Sequence, residues 1–529
     1  MKHKHQLLSL CLAAVISLSS CKTIEYDDNE TPQDSTPTVG TIDNEPQSDN
    51  RSDSLPFTAG EAHAKIWADN RLQYNRLLQL EDFPESSPHN ALSGYGGSGY
   101  AQMSAGEGFT FDTELPESQH YLVGLKICAV DSVVVLSIDG TELGAFYANG
   151  AKDFSLFYLD GIYIEGGKHS IRLQCEKGIA FMDSLEFHDA GLMPRSRFDT
   201  AAVLSDDKAS KNARSLMTYL TEHFGKRILT GQTVTPNTNA EINAVYAASG
   251  RFPAIRVGDL AQYTNFYYGD NKNADTEANL ALDWADKGGI VSFNWMWYAP
   301  TDGAGFGVDG GFSLAKAVSQ KDVSKLDDAG IEAYVSSGEL SREGAALLRD
   351  IDSVAEKLQQ FADKDIPVLL RPLQDGGIEG LFWWNEAGAE AYVWLWQTLY
   401  NRLVGYHGLH NLIWVWSGED TAFYPGDNYA DLTSVDVWSD SDTSNLPRFF
   451  TGLLYGERKK LVSLTECSLI PDPDVLNRDG ALWSWFSLYR GDVIINPNGS
   501  LNDYSLNTVE RIKAAYNHEL TLTLDEVHY

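Results

Sequence analysis

Cysteine is scarce, with five in 529 residues. Cys11 and Cys21 fall in the first 21 residues, which leaves Cys128, Cys175 and Cys467 for the folded chain. Three thiols without C-x-x-C spacing make neither a disulfide scaffold nor a zinc site. Cys128 and Cys175 both lie in predicted strands, so one disulfide between them and two buried thiols fit the sequence equally. No D-x-D-x-D-G-like loop is present, so no metal site is read, and no cofactor is expected. Basic residues are also short, 40 Lys and Arg against 74 Asp and Glu, for a net charge of −34. Such a surface repels phosphate backbones, which excludes nucleic acid as a partner. Neutral ligands such as polysaccharides are unaffected. Aromatics are plentiful, with 13 Trp and 25 Tyr, enough for a large core or for platforms beneath sugar rings.

The first 21 residues read as an export segment. Lys2, His3 and Lys4 precede an apolar run over 7–18, too short for a stable span. Leu18-Ser19-Ser20-Cys21 resembles a bacterial lipobox, which implies that Cys21 is acylated and becomes the mature N-terminus. Glu25, Asp27, Asp28 and Glu30 behind it resemble a surface-export signal of lipoproteins. The expected location is the outer membrane, at the cell surface, through the lipid. Residues 22–54 are polar, with almost no large apolar side chains, and read as a flexible tether.

Residues 55–194 carry an all-β signal. Short apolar or alternating runs at 121–127, 132–138 and 170–174, with turns at Asp139-Gly140 and Gly166-Gly167, predict a β-sandwich. Residues 195–529 alternate strand and helix. Apolar strands are expected at 228–232, 253–257, 289–295, 366–371, 411–416, 434–438, 460–466 and 482–489, with amphipathic segments such as 344–363 and 388–404 between them. Eight such units predict a (β/α)8 barrel whose functional groups gather at the C-terminal strand ends. The fold class is therefore multidomain, an all-β sandwich followed by an α/β TIM barrel.

Two carboxylates close predicted strands: Asp375, in Arg371-Pro372-Leu373-Gln374-Asp375 after strand four, and Glu466, in Thr465-Glu466 at strand seven. A pair flanking a glycosidic bond is what acid/base plus nucleophilic hydrolysis needs. An acidic barrel mouth also supplies such pairs without function.

Gly225-Lys226-Arg227-Ile228-Leu229-Thr230-Gly231-Gln232, Ile290-Val291-Ser292-Phe293-Asn294-Trp295, Leu370-Arg371-Pro372-Leu373-Gln374-Asp375 with Phe382-Trp383-Trp384, the run 408–417, and Tyr424-Pro425-Gly426-Asp427 follow in order. Over nearly all of 200–520 the chain resembles glycoside hydrolase family 26, the β-mannanase family. The resemblance implies a retaining endo-hydrolase of β-1,4-mannan or a related β-glycan, with Glu466 as nucleophile and Asp375 as acid/base. As that acid, Asp375 is expected to hold a proton near neutral pH. Arg371 would orient Glu466. Trp295, Met296, Gln374, Leu381, Trp383, Trp384, Trp438, Tyr489 and Arg490 would meet the substrate, Trp383 and Trp384 being equally compatible with pure core.

The turns of 55–194, Ser98-Gly99-Tyr100, Gly166-Gly167 and the run 182–187 among them, resemble carbohydrate-binding modules of the family 6 and 35 type.

The chain departs from the family pattern at several of these positions. Gln374 and Met296 stand where the family has His, Leu381 where it has a stacking Trp, and Trp438 where a Tyr contacts the nucleophile. Tyr489-Arg490 replaces Trp-Arg, and one extra residue separates Asp375 from Phe382. Asp375 replaces Glu, withdrawing the carboxyl by about 1.5 Å, where retaining chemistry wants a separation of roughly 5–5.5 Å. Glu379 is a second acidic candidate on the same loop. The alternatives are a catalytically inactive glycan-binding surface protein, or a hydrolase retuned to another polysaccharide.

Overall fold

The computed structural model describes residues 75–529 apart from 84–85, 87, 192–194, 270, 309–310, 379, 419, 439–447, 450–451, 454, 457 and 503–504. Cys21, the tether 22–54, the start of the expected sandwich and Glu379 lie outside the described residues.

Eight antiparallel strands fill the N-terminal region: β1 (Asn75–Gln79), β2 (Pro88–His89), β3 (Tyr100–Ser104), β4 (Gly108–Leu115), β5 (Gln119–Ile138), β6 (Thr141–Ile164), β7 (Gly167–Lys177) and β8 (Ile179–Gly191). Along β4 strict alternation turns Phe109, Phe111, Thr113 and Leu115 inward and their neighbours to solvent. The expected strands 121–127 and 132–138 are in fact one, the 20-residue β5. Ala129-Val130-Asp131 between them holds neither Gly nor Pro, and the chain takes up its extra residues as register shifts rather than as a turn. The first half of β5 pairs with β8 and the second half with β7. The sheet therefore folds over on itself, and one core, including Val123, Leu125, Leu136, Phe146, Ile171 and Phe187, sits between its halves. Strand β6 escaped the sequence reading because Gly144, Ala145, Ala148 and Ala151 break up its apolar pattern. Asp139-Gly140 does make the β5–β6 turn, both residues having positive φ (52° and 82°). Cys128 and Cys175 are separate thiols.

The C-terminal region closes a parallel barrel from β9 (Ile228–Thr233), β10 (Ile255–Asp259), β11 (Ile290–Trp295), β12 (Val368–Pro372), β13 (Leu412–Ser417), β14 (Leu432–Val437), β15 (Val462–Cys467) and β16 (Trp485–Leu488). Each strand pairs with the next, and β16 returns to β9. A short β17 (Thr521–Leu522) pairs beside the start of β9. All eight barrel strands are buried along their whole length, which explains the apolar residues that run through them on both faces. Helices cover the outside; Arg342–Ala362, capped by the Ser341 side chain, buries Leu347, Ile351, Val354 and Leu358 along one stripe. Among the described residues no helix is long and apolar enough to cross a membrane.

Candidate active site

The C-terminal ends of the strands converge on Arg371, which is 1% exposed. Its Nη1 donates to Glu466 Oε1 at 2.8 Å; its Nη2 donates to Ser417 Oγ at 3.0 Å and to Asp436 Oδ2. Asn294 Nδ2 adds a second bond to Glu466 Oε1, at 3.2 Å, and Thr465 Oγ1 donates to Asp436 Oδ1 at 2.9 Å. Asp436 and Glu466 are register partners on neighbouring strands, so both carboxylates face one guanidinium. Burial pushes Glu466 up to about 7, with the Asp436 charge adding to it and Arg371 and Arg490 pulling the other way. Glu466 Oε2 has no hydrogen bond among the described residues.

Asp375 lies three residues beyond the end of β12 and acts electrostatically on the same Arg371. It stands on an unusual stretch of backbone. Leu373 (φ 48°) and Asp375 (φ 56°) are both left-handed. Aspartate tolerates that region, but for a leucine it costs about 1–3 kcal/mol. Three side chains from further along the chain hold the excursion by its carbonyls. Tyr392 Oη donates to Leu373 O (2.6 Å), Trp384 Nε1 to Gln374 O (3.0 Å) and Asn385 Nδ2 to Asp375 O (2.8 Å). The chain then pairs again with β13's extension through Gly376 and Gly418. Tyr392→Phe leaves the Leu373 carbonyl buried without its donor. It is expected to cost about 1–3 kcal/mol, measurable as a lower denaturant midpoint; an unchanged midpoint counts against this clamp.

The structure brings together Asp375, Glu466, Arg371 and Arg490, the last of which acts on both Glu466 and Asp259. Trp438 and Tyr489 pack edge to face, 4.8 Å apart, just past the ends of β14 and β16 on either side of β15. Met296 and Leu381 are half-buried beside the aromatic core, and Met296 N donates to Asp259 Oδ1 at 3.3 Å. Gln374 is buried, and its Oε1 has no hydrogen-bond partner among the described residues.

Trp295, expected against substrate, is core instead, and of their two readings Trp383 and Trp384 take that of core. They are 1%, 2% and 0% exposed, so none has a free face for a sugar ring. Trp295 stacks on Trp297 with centroids 4.2 Å apart, and Trp383 Nε1 donates to Trp297 O at 2.8 Å. Of the three, Trp384 meets the backbone next to Asp375, through Gln374 O.

The sequence reading passed over Asn294, Asp436 and Asp259, each a polar residue at or near the C-terminal end of a buried barrel strand, which was the signal available. Asp259 is pushed up to about 6 by its burial at the end of β10.

Comparison with known proteins agrees with this geometry. The family model for glycosyl hydrolase family 26 matches residues 205–526. The chain is 30% identical over 457 residues to a mannan endo-1,4-β-mannosidase of Thermothelomyces thermophilus, covering 83% of this chain and 87% of that protein. It is 27% identical over 452 residues to mannan endo-1,4-β-mannosidase B of Piromyces sp., covering 82% and 74%. The crystal structure of a ruminal GH26 endo-β-1,4-mannanase matches in fold with TM-score 0.66 at 23% identity, over 86% of this chain and 99% of that one. The Podospora anserina GH26-CBM35 β-(1,4)-mannanase matches with TM-score 0.57 at 25% identity, over the same shares. The chain belongs to glycosyl hydrolase family 26.

Proposed function

We propose that this protein is a retaining endo-β-1,4-mannanase, held at the cell surface by lipid on Cys21, with an N-terminal sheet that binds the same polysaccharide. The observation that carries the reading is Glu466. One carboxylate oxygen is anchored by Arg371 and Asn294, and the other has no hydrogen bond among the described residues, at the mouth of the barrel. Glu466 Oε2 attacks the anomeric carbon while Asp375 gives its proton to the leaving glycosidic oxygen, forming the glycosyl-enzyme. Asp375 then takes a proton from water, whose oxygen displaces Glu466 with net retention. Relatives named as mannan endo-1,4-β-mannosidases support mannan as the substrate. The lipobox-like run to Cys21 supports the anchor.

The test is incubation with a polysaccharide panel, scoring binding, new reducing ends and the anomer first released. Mannan is expected to yield oligosaccharides in the β configuration. Tight binding without new reducing ends from any glycan would overturn the proposal in favour of an inactive binding protein. The anchor is tested separately: Cys21→Ser is expected to move the protein from the membrane fraction to the medium.

The nucleophile must be ionised, so kcat/KM is expected to fall on the acid side as Glu466, raised to about 7, takes up a proton. Asp436 contributes to that rise, so Asp436→Asn is expected to move the acid limb to lower pH. A limb that stays in place would mean that another group sets it.

A further inference from the structure

At the opposite end of the barrel, where β13 and β14 begin, the surface opens into a cavity of about 470 Å³ lined by Asp206, Tyr400, Tyr406, His410, Asn428 and Tyr429, among others. His410 is two residues before the start of β13, and Tyr429 is three before the start of β14. Glu466 and Asp436 lie at the far ends of their strands, so a six-residue strand, ~20 Å, separates the cavity from the reacting groups. No role in the chemistry reaches it.

Three features distinguish it from an accidental dent. Tyr406 ends a π-helical turn, Asn401–Tyr406, that extends the helix Gly388–Tyr400; such turns are frequent at functional sites. Its ring is 40% exposed yet fixed. The Arg402 guanidinium sits 4.6 Å from the ring centroid, itself held by both Asp352 oxygens at 2.6 Å and by the carbonyls of Ser324 and Leu326. His410 is oriented too. Its Nδ1 bonds Asp206 Oδ2 at 2.7 Å, and Asp206, 5% exposed, also accepts from Lys208 N at 2.9 Å. That leaves His410 Nε2 without a partner among the described residues. Tyrosine rings beside an oriented imidazole and carboxamides suit a neutral polyol, offering it a flat apolar face and hydroxyl partners together. Ligand sites of this kind span roughly 300–1,000 Å³.

We propose that this cavity is a second saccharide-binding site, taking one or two β-linked hexose units of the polymer and tethering the enzyme to it outside the cleft. The choice of a β-linked hexose rests on the mannanase reading; the choice of a neutral sugar rests on the cavity. A tether raises the local concentration of insoluble substrate at the cleft without altering the chemistry there.

The test uses the full chain, with insoluble mannan, mannotriose and cellotriose as probes, and hydrolysis of soluble mannohexaose as the activity readout. Tyr406→Ala is expected to weaken retention on insoluble mannan by about tenfold while mannohexaose hydrolysis stays at the wild-type rate. Tyr406→Phe, which keeps the ring, is expected to bind as wild type. If Tyr406→Ala and His410→Gln both bind every probe as wild type does, the site is overturned, whether or not mannan is cleaved. If no mannan is cleaved but Tyr406→Ala weakens binding of any probe, the site stands and the mannanase reading falls. If wild type binds no probe, both fall.

Discussion

Glu466→Gln is expected to remove turnover by on the order of 10⁴-fold or more and, above neutral pH, to raise the melting temperature by a few degrees. The first effect follows from the role proposed for Glu466 as nucleophile. The second follows from linkage. Glu466 is raised in the fold from 4.5 to about 7, chiefly by burial. The folded state then binds its proton more tightly than the unfolded chain does. The stability this confers is fully present below pH 4.5 and is lost as pH rises through about 7. A neutral glutamine escapes that loss, while its amide oxygen still accepts from Arg371, which keeps Asp436 as counter-charge. The gain in melting temperature should therefore be clear at pH 8 and vanish near pH 4. A variant less stable than wild type at pH 8 would show that the Glu466–Arg371 pair outweighs its own desolvation. Stability withheld at Glu466 would fit its proposed catalytic role as the usual trade between activity and folding.

Much of the barrel was legible because its strands have only one environment. Closed by neighbours and covered by helices, runs such as Ile290–Trp295 and Leu412–Ser417 are mostly apolar, and turns and helices mark their limits. Glu466 and Arg371 stood out against those runs as charges that a core does not accept unpaired. Asp436 and Asn294 interrupt apolar strands in the same way. They carried no weight alone because their meaning depends on which strands become neighbours: Asp436 matters as the register partner of Glu466, across a bulge that no local pattern encodes. The left-handed backbone of Leu373 and Asp375 was equally invisible. Neither residue prefers it; Tyr392, Trp384 and Asn385, 10 to 19 residues on, impose it. The two open readings of Trp383 and Trp384 could not be separated in the sequence for a related reason. An aromatic pair beside a catalytic loop reads the same whether it faces sugar or core, and only packing against Phe312, Phe382 and Trp297 separates the two.

Arg371→Met should have the largest structural effect of any single change in the site. The guanidinium stands between two carboxylates that are 8% and 4% exposed, and it is the only cation hydrogen-bonded to either side chain among the described residues. Methionine fills much of its volume but leaves Asp436 and Glu466 buried side by side without that charge. Removing one partner of a buried ion pair costs about 3–5 kcal/mol. The cost should depend on pH in a direction that packing cannot imitate. Without Arg371 the charge that pulls Glu466 down is gone and its carboxyl rises further in the folded state, so stability is present below its unfolded value of 4.5 and is lost as pH rises. Wild type and variant should therefore converge in denaturant midpoint toward pH 4 and separate through pH 7. The double change Arg371→Met with Asp436→Asn removes one of the two stranded charges and should recover a large part of the midpoint at pH 7 without recovering hydrolysis. A deficit equal at pH 4 and pH 8 would assign the role of Arg371 to packing. Recovery of hydrolysis by the double variant would show that Glu466 needs no cation to act.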